Sequence, residues 1–326
     1  MGSVPTPRVC IVSPALAGAN NGNWHTAARW QRFLEPIADV EVVAAMDGTA
    51  DLLIALHARR SAPEIKRWRE HRPEAPLVLV LTGTDLYRDL DLDADARHSL
   101  ECASRIIVLQ EAALRRLDAA SRAKTVVIVQ SASSLRVRRS QRDAEFVAVG
   151  HLRDEKDPAT LLRAARLLAQ DGDPPTIAHV GAALDERLAT AARATMAACP
   201  AYRWLGALDH AAARRTIARA RALVHPSRME GGANVVIEAV RSGVPVLASR
   251  IDGNVGLLGD DYEGYFRVGD AVALAALMRR FRRDAAFAGR LHAQCAAREP
   301  LFLPAVERRA VRSLVAGLLA APKRGR

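Results

Sequence analysis

The sequence predicts an α/β protein of two Rossmann-like halves, each a parallel sheet covered by helices on both faces. Three observations predict it. Short, wholly apolar, β-branched runs alternate with longer Ala-rich stretches of helical period, the pattern of strands buried on both faces. The alternation breaks at a polar, Ser- and Arg-rich stretch over 131–144 (SASSLRVRRSQRDA) and then restarts. The length, 326 residues, divides into two domains of ordinary size.

The elements follow in order. Arg8–Val12 (RVCIV) is an apolar run closed by Ser13-Pro14. A Gly-bearing loop leads into a helix over 24–34, where Trp24, Ala27, Ala28 and Gln31 recur at helical spacing. Strands are predicted over 40–44, Leu52–Leu56 and Leu77–Leu81 (LVLVL), then over 106–109 and 126–129. After the polar stretch, strands are predicted over 146–149, 176–180, 203–205, 222–225 and 244–248. Helices are predicted between them over 158–169, 184–198, 211–220 and 234–242, and a helix over 304–319 closes the chain. The expected domains are therefore 1–135 and 136–326, the second carrying the terminal helix. Ligands of parallel sheets bind beyond the carboxyl ends of the strands, so both halves are expected to offer loops to a shared cleft.

Composition narrows the function. Half of the residues are hydrophobic, enough for a real core. No apolar run approaches the roughly 20 residues of a membrane span. The first residues lack the pattern of a secretory signal, and a cytoplasmic location is expected. Cys10, Cys102, Cys199 and Cys295 are scattered without a C-x-x-C pair and read as reduced, buried thiols. Lys and Arg number 47 against 36 Asp and Glu, a net charge of +11, which favours anionic ligands: nucleic acid, acidic lipid or small phosphates. The same excess also reads as arginine on solvated helix faces. A basic nucleic-acid binder is a reading of another class, supported by the tail Lys323-Arg324-Gly325-Arg326. Aromatic residues are only 4% and do not interleave with the basic ones, which disfavours it.

Three stretches carry chemistry. The first is 227–249 (SRMEGGANVVIEAVRSGVPVLAS), which follows a strand and opens a helix. Gly231 and Gly232 let a ligand approach the backbone, and the helix N-terminus at Ala233 and Asn234 offers free N–H groups to an anion. Glu230 and Glu238 flank that turn, the second placed to accept hydrogen bonds from sugar hydroxyls. The second stretch is 149–157 (VGHLRDEKD), a loop after the first strand of the second half that carries the cations Arg153 and Lys156. The third comprises three loops of the first half. Gly18 to Thr26 (GANNGNWHT) is not a dinucleotide fingerprint. His57, Arg59 and Arg60 follow one strand, and Thr82, Thr84 and Asp85 follow another. His57 reads as an acid/base group or anion ligand, and equally as a structural histidine. Arg59 and Arg60 suit an anionic acceptor or a solvated helix face. The two threonines and Asp85 bind hydroxyls or cap the next turn. Asp89, Asp91, Asp93 and Asp95 alternate, but Ala94 and Leu100 occupy positions that a calcium loop gives to Gly and Glu. They read as an acidic helix start.

The first two stretches resemble the retaining glycosyltransferases of family 4, which have the GT-B fold: two Rossmann-like domains with parallel sheets facing across a cleft. That resemblance implies that Glu230 contacts the donor sugar, Glu238 holds the ribose, and Gly231, Gly232, Ala233 and Asn234 face sugar and diphosphate. It implies that Lys156 grips the diphosphate, and that Leu205-Gly206-Ala207 is the base-binding turn. Gly22 and Asn23 fall in the loop that faces the donor. His151 stands where the family has Arg and Asp157 where it has Gly, so Arg153 is an alternative second cation.

With the loops ALHARRSA and LTGTDLY, the chain resembles one subgroup, the selenosugar synthases of the selenoneine pathway. The resemblance implies transfer of a sugar, typically N-acetylglucosamine, from a UDP-sugar to selenophosphate. It implies no cofactor and no metal, Lys156, Glu230 and His57 as the residues nearest the chemistry, and a functional link to a selenophosphate synthetase and a selenoneine-forming oxygenase. A family 4 transferase with a hydroxyl acceptor, lipid or natural product, remains the alternative.

Overall fold

The computed structural model describes residues 6–16, 18, 22–46, 48–137 and 144–321. Two compact units emerge, one of Met1–Gln130 with Pro304–Arg326 and one of Ser131–Leu303.

The first unit alternates strand and helix: β1 (Arg8–Val12), α1 (Gly22–Leu34), β2 (Asp39–Val43), β3 (Leu52–Leu56), α2 (Ala62–His71) and β4 (Leu77–Leu81). It continues with α3 (Leu90–Leu92), α4 (Ala94–Cys102), β5 (Arg105–Val108), α5 (Ala119–Ala123) and β6 (Thr125–Val127). The strands form one parallel sheet in the order β2-β1-β3-β4-β5-β6. All five residues of β3 and of β4 are buried, as their unbroken apolar runs predict. Alternate residues serve opposite faces. Cys10, Val12, Leu53 and Leu79 pack with Ile65 and Trp68 of α2 on one side. Val9, Ile11, Ile54 and Val80 pack with Trp30 and Leu34 of α1 on the other.

The second unit runs β7 (Ala144–Val149), α6 (Pro158–Leu168), β8 (Ile177–Val180), α7 (Glu186–Ala198), β9 (Tyr202–Trp204), α8 (His210–Ala218) and β10 (Ala220–His225). Then come α9 (Asn234–Arg241), β11 (Val246–Ser249), α10 (Asp252–Leu258), β12 (Tyr265–Phe266), α11 (Ala271–Arg283) and α12 (Ala285–Arg298). Its parallel sheet is ordered β12-β11-β10-β7-β8-β9. Counted within the unit this is 6-5-4-1-2-3, the doubly wound order whose ligand crevice lies where the winding reverses. Aspartates start its helices: Asp185 caps α7, which therefore begins at Glu186 and not at 184 as expected, and Asp209, Asp270 and Asp284 cap α8, α11 and α12.

No element is predicted between 248 and 304, where the structure places α10, β12, α11 and α12. The terminal helix, α13 (Pro304–Ala320), is expected in the second half, whereas α13 belongs to the first unit. The reason is a buried carboxylate. Glu307, 1% exposed, accepts from Trp30 Nε1 at 2.7 Å and from Arg29 Nε at 2.9 Å, both on α1. Val311 and Val315 join the core beside Trp30. Residues 138–143 of the polar stretch and the basic tail lie outside the described residues.

Candidate active site

In the second unit the winding reverses between β7 and β10, which are direct neighbours. The loops leaving those two strands carry the two strongest sequence motifs. After β7, Gly150 packs against the Lys156 side chain, and a Cβ on Gly181 would lie 1.9 Å from the Gly150 carbonyl oxygen. Gly181 also has φ +159, so only glycine lets the ends of β7 and β8 approach this closely. After β10, Arg228 N donates to Glu155 O at 2.9 Å, tying one loop to the other.

Lys156 and Glu230 meet across these loops, Nζ to Oε1 at 2.5 Å. Glu230 is 12% exposed, and burial acts to raise its carboxyl pKa. The Lys156 ammonium, with His225 behind it, overcomes burial and holds the carboxyl well below the usual carboxylate range. His225 Nε2 lies 3.4 Å from the same oxygen without hydrogen-bond geometry, and this buried nitrogen and Ser227 Oγ have no hydrogen-bond partner among the described residues. Lys156, Gly150, His179, His225 and Ser227 line a small pocket at this point. A Cβ on Gly253 would sit 2.2 Å from Glu230 O, so α10 sets the height of the Glu230 backbone.

The turn Gly231, Gly232, Ala233 leads into α9, whose N-terminus has Ala233 as its cap and no side-chain hydrogen bond. The first N–H groups of a helix have no intrahelical partner and favour an anion, and Lys156 holds Glu230, just before this turn. Glu238, one turn into α9, is 8% exposed and receives His210 Nε2 at 2.6 Å. The turn at Gly206 (φ 71) accepts Gly181 N through its carbonyl at 2.8 Å.

The departures from the family pattern have physical causes. Asp157 has φ 44, the left-handed region that glycine enters freely and Asp tolerates. Its carboxylate caps α6 through Thr160 and pairs with Arg228 at 3.2 Å. His151 accepts from Ala182 N through Nδ1 at 3.1 Å, and burial, aided by Arg153 and Lys156, lowers its pKa, so the ring is neutral near pH 7. Two arginines pair with the carboxylates that flank Lys156 in sequence, Arg153 with Glu155 at 3.9 Å and Arg228 with Asp157 at 3.2 Å. No role of their own is predicted from the sequence for Arg228, His225 and His210, although His225 and Arg228 stand in the H-P-S-R run that leads into Glu230.

In the first unit the order reverses between β1 and β3. Gly22 and Asn23 open α1 after β1, with Gly22 O accepting from Thr26 Oγ1 at 2.8 Å; Ala19, Asn20 and Asn21 lie outside the described residues. His57 follows β3 with φ 77, a strained backbone for a histidine. Arg60 N donates to its Nδ1, so Nε2 carries the proton and donates to Thr84 Oγ1 at 2.9 Å. Burial lowers its pKa, the Asp85 charge opposing, so the ring is neutral.

Asp85 is fully buried and accepts from the N–H groups of Ala58, Thr82 and Gly83. It organises the lip on which half-buried Thr82 and Thr84 sit. Asp89, 2% exposed, is flanked by Arg88 at 3.1 Å and Arg59 at 3.5 Å. The other three acidic residues of that row are placed separately: Asp93 caps α4, Asp95 lies in its first turn, and Asp91 pairs with Arg116. Among the described residues no group of three or more His, Cys, Asp or Glu is placed to hold a metal, and no helix is long and apolar enough to cross a membrane.

The family of glycosyl transferases group 1 matches residues 133–298. No curated protein matches the chain. Among solved structures, sucrose-phosphate synthase of Thermosynechococcus elongatus aligns with a TM-score of 0.78 at 18% identity, covering 97% of this chain and 100% of that one. Anabaena HepE in complex with UDP aligns at 0.73 and 16% identity, covering 95% and 99%. S. aureus TarM aligns at 0.66 and 13% identity; this chain is covered over 90% but spans only 58% of TarM. At such identities the likeness is one of fold, and that fold is GT-B. With just over half of its length matched to the family by sequence, and two Rossmann-like parallel sheets matching the fold, this chain belongs to the glycosyl transferases of group 1.

Proposed function

We propose that the chain is a selenosugar synthase, which transfers a sugar, N-acetylglucosamine in the first instance, from a UDP-sugar to selenophosphate. The observation that carries the donor half is Lys156 beside the uncapped N-terminus of α9, both at the switch point of the second sheet. Anabaena HepE has been solved with UDP-glucose, which supports the nucleotide. The acceptor half rests on the resemblance of the loops around His57 and Thr82 and on three arginines, Arg59, Arg60 and Arg88, at one lip of the first sheet, a cationic setting for a small anion.

In this scheme selenium attacks the anomeric carbon. The C–Se bond forms as the C–O bond to the diphosphate breaks, and UDP leaves with the electron pair. Lys156, the amides of Gly231 to Asn234, and Arg153 or Arg228 stabilise the departing charge. Glu230 orients the donor sugar and Glu238 holds the ribose. Water then takes the phosphoryl group from selenium, giving phosphate and the sugar selenol. The nucleophile is already anionic, so no strong base is required. His57 serves by holding Thr84, and Asp85 by holding the loop that presents Thr82 and Thr84. A selenophosphate synthetase would supply the acceptor, and a selenoneine-forming oxygenase would use the product.

A hydroxyl acceptor is the second reading, favoured by the α-GlcNAc-glycerol bound in the TarM complex. UDP release measured with selenophosphate, glycerol and a panel of alcohols separates the two. Release with selenophosphate alone supports the first; release with an alcohol and none with selenophosphate supports the second.

A further inference from the structure

The contact between His210 and Glu238 has no counterpart in the motifs that single out Glu238. His210 is the first residue of α8, and Asp209 fixes that end by accepting from Ala212 N at 2.7 Å. Four residues earlier, Gly206 turns the chain in the left-handed region and holds Gly181 through its carbonyl. His210 therefore sits at a set place at the end of the turn between β9 and α8. From there Nε2 reaches Glu238 Oε1 at 2.6 Å.

Glu238 is 8% exposed and His210 43% exposed, so the contact lies at the rim and the carboxylate lies beneath it. His210 is held on Oε1, which commits one oxygen of the carboxylate and leaves Oε2 outside this contact.

We propose that His210 is a positioning residue for nucleotide recognition: it holds Glu238 in one rotamer with Oε2 presented to the ribose hydroxyls, so the site selects ribonucleotides. The proposal rests on the reading of Glu238 as the ribose-binding carboxylate. A glutamate side chain has three rotatable bonds, and fixing it before the ligand arrives removes an ordering cost from binding. A carboxylate with one oxygen already saturated is also a single-point acceptor, sensitive to whether a hydroxyl stands opposite it. The same contact links the turn at Gly206 to the ribose carboxylate, so the two ends of a nucleoside would be recognised by one connected element.

The test uses the full chain and three probes: UDP, 2′,3′-dideoxy-UDP and inorganic pyrophosphate, with dissociation constants measured by calorimetry. His210→Ala is expected to weaken UDP about tenfold, the worth of one well-placed hydrogen bond to a charged group. It is expected to change dideoxy-UDP and pyrophosphate by less than about twofold. His210→Gln, which keeps a donor within similar reach, recovers most of the UDP affinity. In turnover the donor KM rises while kcat stays close to that of the parent. Equal weakening of UDP and dideoxy-UDP by His210→Ala, or no weakening of either, overturns the proposal. Glu238→Ala is the control. If it lowers UDP affinity selectively while His210→Ala does not, only the role of His210 fails. If it weakens UDP and dideoxy-UDP alike, the ribose assignment fails, and the proposal with it.

Discussion

Lys156 Nζ and Glu230 Oε1 stand 2.5 Å apart, joining the loop after β7 to the loop after β10 at the one place where the second sheet reverses its winding. Each side chain neutralises the other while both are largely shielded from water. A ligand diphosphate would take Lys156 as its own partner, and a sugar hydroxyl would take Glu230. Lys156→Ala is therefore expected to lower kcat about 100-fold or more, the usual cost of losing one preorganised charge partner of a leaving group. Lys156→Arg restores part of it. Steady-state UDP release is the readout, and full turnover by Lys156→Ala would contradict the assignment.

Gly253 fixes the same site from behind. A methyl group there would lie 2.2 Å from Glu230 O, a backbone atom that must then move. Misplacing a site group by about 1 Å costs on the order of 100-fold in rate. Gly253→Ala is expected to fold, with unchanged far-ultraviolet circular dichroism, and to lose about that much kcat/KM. Unimpaired catalysis would show that the height of Glu230 is not critical.

His179 links stability to pH. It is buried in the second unit, with Nδ1 2.8 Å from the Tyr202 hydroxyl, and burial lowers its pKa from 6.5 to about 4. The unfolded chain thus binds a proton more readily than the folded one between those values. The contribution is complete above pH 6.5 and is lost as pH falls towards 4, amounting to about 3 kcal/mol. Denaturant titrations at a series of pH values should show that slope, and His179→Gln should flatten it. An unchanged slope in the variant assigns the effect elsewhere.

Glu307 anchors α13 to α1. Removing it leaves Trp30 Nε1 and the Arg29 guanidinium without their partner in a buried setting. Glu307→Ala is expected to cost on the order of 3 kcal/mol, read as a lowered midpoint of urea unfolding. A change below about 0.5 kcal/mol, the scale of a neutral surface substitution, would show that the apolar contacts of Val311 and Val315 suffice.

The sequence made the sheets legible because β3 and β4 are unbroken apolar runs, and it singled out Lys156, Glu230 and Glu238 as candidates because glycines and helix starts surround them; the structure brings the first two together. Other features depend on distant partners. Glu307 looks like a solvated helix residue until Trp30 and Arg29 meet it across most of the chain. His210 and Glu238 are 28 positions apart and carry no shared pattern. The departure at Asp157 could be read only once its φ of 44 and its cap on α6 were seen. The helices α11 and α12 did carry a local signal, since Asp270 and Asp284 precede runs with Leu274, Met278, Phe287 and Leu291 at helical spacing.

The most direct measurement is mass spectrometry of the product formed from UDP-N-acetylglucosamine and selenophosphate. The expected product is an N-acetylglucosamine selenol, carrying the isotope pattern of selenium, together with equal amounts of UDP and phosphate, all formed about 100-fold more slowly by Lys156→Ala. Unconsumed donor in the presence of selenophosphate, with a sugar–oxygen product formed from an alcohol, would contradict it.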